Sequence, residues 1–264
     1  MIDYRRDLQP LLEGQNISKS FGGIIALNQV DIAVHPGEVL GIIGPNGSGK
    51  TTLINCLSRV LDTTHGRILL KGEEITRKKP YLVARMGLAR TFQQVRVYRK
   101  LSVLENMLLS RQWRGEGLLN QFRRSHPSTE ARAHEIIDFL SLNHLMHEMA
   151  GNLSLGQQRI LEIGMALMPD PDLFILDEAT SGINPTFLET IKDRIRFLNT
   201  ENGKTFILIE HNMSFIEDMC NRVVVLDHGE KLAAGTPEEV INNPQVIEAY
   251  LGSHLEDDEG QNDW

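Results

Sequence analysis

The chain predicts an α/β fold: a parallel sheet covered by helices on both faces, with an antiparallel β layer appended in front and an α-helical subdomain inserted in the middle. Three observations carry that expectation. Short runs that are apolar throughout, at 40–43, 173–176, 206–209 and 223–226, alternate with stretches of helical periodicity, the pattern of strands buried on both faces. Residues 12–34 instead alternate polar and apolar around Gly22-Gly23, as in a hairpin with one wet face. Between 98 and 151, two helical patterns follow one another without a strand signal.

Residues 1–11 read as an extension containing Asp3, Arg5, Arg6 and Asp7, with no apolar stretch resembling a signal sequence, so the protein is expected to stay in the cytosol. The strand at 40–43 ends in glycines and leads into a helix at 51–61 that gathers Leu53, Leu57, Val60 and Leu61 on one side. Within the insertion, helices are expected at 102–113 and 129–140, the first opened by the capping box Ser102-Val103-Leu104-Glu105. The later strands are separated by helices at 186–198 and 214–220. Thr236 then caps a short helix with Pro237 in its first turn. The acidic end, 253–264, lacks periodicity and is expected to be a disordered tail. One domain thus spans 12–252, with its core at 12–97 and 152–252 and the insertion at about 98–151.

A chain of 264 residues can bury a core without disulfides or metals. Cys56 and Cys220 stand far apart with no CxxC spacing, which predicts buried reduced thiols. No apolar run approaches the ~20 residues of a membrane helix. Lys+Arg of 27 against Asp+Glu of 35 gives a net charge of −8, which argues against a general nucleic-acid coat. The positive charge is uneven, however. Arg77, Lys78, Lys79, Arg85, Arg90, Arg96, Arg99 and Lys100 fall in a stretch without a carboxylate, readable as a solvated face or as a surface toward anionic lipid headgroups.

Four segments carry chemistry. Gly44-Pro45-Asn46-Gly47-Ser48-Gly49-Lys50-Thr51 joins a strand to a helix, the context in which backbone N–H groups converge on a polyphosphate; Lys50 suits the β- and γ-phosphates and the Thr51 hydroxyl suits Mg2+. Asp177 and Glu178 end the strand at 173–176, placing one carboxylate for Mg2+ and another to take a proton from an attacking water. Ser154-Leu155-Gly156-Gln157 is a capping box, and the same open helix end is an anion site. His211 closes the strand at 205–209, positioned for a γ-phosphate and its water. Phe21 reads either as core packing or as a stacking face for adenine, and Gln93 carries no signal of its own. The order of the four segments favours nucleotide chemistry over chance.

In that order, the motifs resemble those of the ATP-binding subunit of an ABC transporter, over about 12–252. The resemblance implies a P-loop NTPase (RecA-like) core. It also implies ATP bound by Phe21, by the Walker A residues Gly44, Pro45, Asn46, Gly47, Ser48, Gly49, Lys50 and Thr51, by Thr52, and by the Q-loop Gln93. Mg2+ would be held by Thr51, Gln93 and Asp177, with Glu178 and His211 catalytic. Ser154, Leu155, Gly156 and Gln157 form the signature that closes the ATP site of a second subunit in a head-to-tail dimer, and Ser181 and Asn184 lie in the D-loop. Three positions depart from the commonest pattern: Leu155 replaces the first glycine of LSGGQ, Ala179 a proline, and Asn184 an aspartate.

Ala89-Arg90-Thr91-Phe92-Gln93, the run Glu210-His211-Asn212-Met213 and the segment from Asn243 to Gly252 are similar to ATPases of bacterial branched-chain (hydrophobic) amino-acid importers. That likeness implies a subunit, homodimeric or heterodimeric, that powers import of a small polar or hydrophobic amino acid through two permease subunits served by a solute-binding receptor. It would sit peripherally on the cytoplasmic face of the bacterial inner membrane, without nucleic acid. Urea or amide uptake, lipopolysaccharide export and a soluble non-transport ABC ATPase are the alternatives.

Overall fold

The computed structural model describes residues 9–91, 94–111, 127–178 and 183–259. Strands β1 (Leu12–Phe21) and β2 (Ile24–Val34) form the expected hairpin; β3 (Val39–Ile43) runs through the phosphate loop into α1 (Lys50–Leu57). Then come β4 (His65–Leu70), β5 (Glu73–Glu74), α2 (Pro80–Arg85) and β6 (Leu88–Arg90). The insertion supplies α3 (Val103–Leu109) and α4 (Pro127–Phe139), and α5 (Leu155–Leu167) and β7 (Leu173–Asp177) return the chain to the core. The remainder is α6 (Pro185–Thr200), β8 (Thr205–Ile209), α7 (Met213–Met219), β9 (Arg222–Asp227), β10 (Glu230–Gly235), α8 (Pro237–Ile241) and α9 (Pro244–Glu259).

Two sheets result. The antiparallel layer has the order β2-β1-β4-β5, and the main sheet β10-β9-β3-β8-β7-β6 is parallel except at β10. Strand alternation divides the interior. Leu40, Ile42, Leu173, Ile175, Ile207 and Ile209 face α1 and the antiparallel layer, whereas Ile43, Phe174, Leu176, Phe206 and Leu208 face the helices of the insertion and α5–α7. Both faces are therefore buried, which explains why these strands read as unbroken apolar runs. The order places β3 between β9 and β8, with β7 next, so the phosphate loop, His211 and the two carboxylates emerge along one edge.

The expected caps form. Ser102 and Thr236 each accept from the N–H three residues on while Glu105 and Glu239 reach back. Other expectations are corrected. α1 stops at Leu57 because Arg59 turns left-handed (φ 61°), leaving Val60 exposed rather than in line with Leu53. Strands β4, β5, β6 and β10 are additional. β5, β6 and β10 lie at sheet edges, and β4 buries only Ile68 and Leu70, too little for a periodic signal. Residues 253–259 of the acidic end continue α9, where the sequence suggested disorder, since that helix is already nucleated and each added residue gains a backbone hydrogen bond; 260–264 lie outside the described residues. Backbone pairing of the antiparallel layer starts at Leu11, one residue before the expected boundary. The basic stretch also divides: Lys78 pairs with Glu73 on the surface, and Arg90 turns inward.

Candidate nucleotide-binding site

Between β3 and α1, Gly44, Gly47 and Gly49 take φ of 150°, 78° and 99°. A Cβ at Gly44 would lie 2.1 Å from the Leu226 carbonyl oxygen, and one at Gly49 2.7 Å from that of Ala26, so those two positions exclude any side chain. Gly49 caps α1 without a side-chain acceptor, leaving the first-turn amides for a ligand. The Ser48 hydroxyl is buried with no hydrogen-bond partner among the described residues, as a loop built for an anion requires. Lys50 Nζ donates to the Gly44 and Pro45 carbonyls, each at 2.8 Å. Burial lowers its pKa, and Glu178 and Asp177 oppose that shift. Thr51 is exposed beside it and Thr52 half-buried.

Asp177 closes β7 and is buried; burial raises its pKa, with the Arg90 guanidinium the largest opposing influence. Glu178 follows at φ 48°, an uncommon conformation for a side chain of its size. Its N–H donates to the Ile209 carbonyl at 2.9 Å, which holds it beside the end of β8. His211 Nε2 lies 3.3 Å from Glu178 Oε1. Asn46, Lys50, Thr51, Glu178 and His211 line one cavity of about 210 Å3. That is below the roughly 300 Å3 of sites enclosing a whole drug-sized ligand, so it suits phosphates and water, with a base left outside. Phe21, at the hairpin tip, is 46 % exposed, which removes the core-packing reading, and Lys19 Nζ lies 5.0 Å from its ring centroid.

Ser154 caps α5, accepting from Gln157 N–H at 3.3 Å while Gln157 Oε1 accepts from Ser154 N–H at 2.9 Å. It is exposed and does not line the cavity with Lys50. Gly156 is buried under Phe187, whose Cγ a Cβ would approach to 2.9 Å; Leu155 is exposed beside it. Asn184 caps α6 by accepting from Phe187 N–H at 3.0 Å. Gln93 and Ser181, both expected at the site, lie outside the described residues.

Three features went unassigned in the sequence. Arg90 Nη2 donates to Asp177 Oδ2 at 3.0 Å; in the sequence it belonged to a basic run and to the segment 89–93 resembling importer ATPases, neither of which gave it a role. Arg159 and Glu162 of α5 form a buried pair at 2.7 Å, and Glu162 Oε1 accepts from Arg96 N–H at 3.3 Å, which ties the helix behind Ser154 to the segment after residue 93. From α9, Tyr250 is hydrogen-bonded to the Gly44 backbone and has its pKa raised by burial. A cavity of about 500 Å3 separates Gln245 and Glu248 of the same helix from the outer side of the phosphate loop.

An uncapped helix behind a glycine loop, with paired carboxylates and a histidine at neighbouring strand ends, defines a nucleotide-binding P-loop ATPase. Comparison with known proteins narrows the class. The ABC transporter family model matches residues 27–181, and a model described as branched-chain amino acid ATP-binding cassette transporter matches 230–256. The high-affinity branched-chain amino acid transport ATP-binding protein LivG of Escherichia coli (strain K12) is 38% identical over 251 residues, covering 92% of this chain and 98% of that one. BraF, its counterpart by description in Pseudomonas aeruginosa, gives the same identity and coverage. Among solved structures, the ADP conformation of MJ1267, an ATP-binding cassette of an ABC transporter, superimposes with a TM-score of 0.84 at 35% identity, over 93% of this chain and 100% of that one.

The chain belongs to the ATP-binding proteins of ABC transporters, in the branched-chain amino acid (LivG/BraF) group. It is an ATP-binding cassette of the kind that hydrolyses ATP to power transport. At 24% identity, the cassette MJ0796 is described as dimeric and cbiO1 of Clostridium perfringens as part of an ABC transporter complex, and this chain shares their fold. Among the described residues, no helix is long and apolar enough to cross a membrane.

Proposed function

We propose that this subunit powers import of branched-chain or similar small amino acids, through closure of two cassettes around ATP. The observation that carries the mechanism is the single cavity joining the phosphate loop to the Glu178–His211 pair, while Ser154 is displayed elsewhere on the surface. Lys50 and the loop amides bind the β- and γ-phosphates, and Phe21 stacks on adenine outside the cavity. Glu178 accepts the proton of the attacking water, and His211, within 3.3 Å of it, orients that carboxylate and the γ-phosphate. Ser154, with Leu155, Gly156 and Gln157, offers its helix end to the nucleotide of the opposite subunit.

Mg2+ suits the donors present. Such ions usually take one or two protein oxygens plus phosphates and water. Thr51 and Asp177 are those donors here, with Gln93 a third by family resemblance; among the described residues there is no larger carboxylate or histidine cluster. When bound, the ion neutralises charge on the transferred phosphate. The subunit would act at the cytoplasmic face of the bacterial inner membrane, paired with itself or a sibling, and would drive two permeases through the Gln93 loop and the helical insertion. A solute receptor would supply the amino acid. Proteoliposomes containing the purified transporter and its receptor test this: ATP-dependent leucine uptake is expected, and uptake of urea but not leucine would replace this reading with the amide-transport alternative.

A further inference from the structure

Arg90 stands at the end of β6, paired in register with Ile175, and its side chain is 6% exposed. Its guanidinium joins two parts of the site. Nη1 donates to Asn55 Oδ1 at 2.7 Å and Ser58 Oγ at 3.0 Å, at the C-terminal end of α1, while Nη2 donates to Asp177 Oδ2 at 3.0 Å. Ser58 Oγ in turn donates to the Ile54 carbonyl at 2.6 Å, so its lone pairs are directed to Arg90. The far end of α1, whose beginning forms the phosphate cradle, is therefore pinned to the carboxylate assigned to the metal. Short helices are stiff, so such a brace fixes the distance between the two halves of the site. A planar guanidinium can span these acceptors, whereas a lysine ammonium is a single point.

We propose that Arg90 is a positioning residue for the metal–nucleotide complex: it holds one oxygen of Asp177 against α1, leaving the other for the cation at a fixed reach from the phosphate loop. This rests on the reading that Asp177 holds Mg2+ beside the nucleotide. A merely structural ion pair would predict equal losses of nucleotide affinity with and without metal. A positioning role predicts a loss confined to the metal-dependent part.

Binding of a fluorescent ADP analogue to the full chain, followed as Mg2+ is added from an EDTA-containing start, separates the two. Arg90→Lys is expected to raise the Mg2+ midpoint by about 10-fold or more, the usual cost of losing a group that orients a metal ligand, while metal-free affinity is retained. Asn55→Ala, which removes one acceptor on α1 and keeps the Arg90–Asp177 pair, is expected to shift the midpoint the same way by less. An unchanged midpoint in Arg90→Lys, or equal loss of affinity in EDTA and in Mg2+, overturns the proposal. Should Arg90→Lys fail to fold, an unmoved midpoint in Asn55→Ala overturns it. Asp177→Asn distinguishes the two failures: a shift there with none in Arg90→Lys removes Arg90 alone, and no shift there removes the metal role of Asp177 as well.

Discussion

Two helix N-termini in this molecule are assigned to phosphate, and they are prepared in opposite ways. α1 begins behind a glycine in a left-handed conformation, has no side-chain cap, and opens into a cavity with Lys50, beside a Ser48 hydroxyl that has no partner among the described residues. α5 begins at Ser154 with its own capping box closed and stands in the open. An uncapped buried helix end is unsatisfied until a ligand arrives, whereas a capped exposed one is already content. On the proposed mechanism, the first site is ready in a single chain, and the second gains from phosphate only when a partner presents one.

The largest effect should come from disabling the prepared end. Lys50→Ala is expected to abolish Mg-ATP binding in equilibrium dialysis of dilute, unpaired chains; retained affinity would misassign the loop. Next, Glu178→Gln should slow hydrolysis by roughly 10²–10⁴-fold, the usual worth of a general base, and leave ATP-bound pairs visible on a sizing column. Normal turnover would remove Glu178 from its role.

On the capped end, Ser154→Ala should leave the nucleotide affinity of the isolated chain intact and eliminate ATP-dependent pairing. A drop in single-chain affinity would erase the contrast between the two helices. Gly156→Ala places a methyl 2.9 Å from Phe187 Cγ. Overpacking of this kind typically costs about 1–3 kcal/mol, read as a lower melting temperature, and Phe187→Leu in the same chain should recover part of it. Recovery would show that Gly156 is required for packing on α6 as well as for phosphate.

The smallest effect is on pH. Cys56, in α1, has its pKa raised from 9.0 to about 11 by burial. The folded state therefore holds the proton more tightly than the unfolded chain, and the thiol's contribution to stability is complete below pH 9.0 and is lost as pH rises through about 11. Unfolding midpoints should fall more steeply across that window in the wild type than in Cys56→Val. Parallel slopes would mean that Cys56 is not sealed in.

Much of the site was legible because its signals are local. The phosphate loop, the strand-end carboxylates and His211 each occupy a few consecutive residues whose types are demanded by nearby backbone geometry. The capping boxes at Ser102 and Ser154 span four residues and form as read, and so does the cap at Thr236. Arg90 was not legible as a brace, since its partners lie 35, 32 and 87 residues away and a guanidinium reads the same on a surface or in a core.

By itself the sequence determined the buried strands, the hairpin, the helix caps and the composition of the phosphate site, since those follow from periodicity and short-range hydrogen bonding. Only the tertiary structure decided that β6 lies against β7, that Arg90 turns inward to Asp177, that Phe187 fills the space above Gly156 and that α9 brings Tyr250 to Gly44. These contacts join residues distant in the chain, and which of them form depends on how two sheets and their covering helices exclude water together.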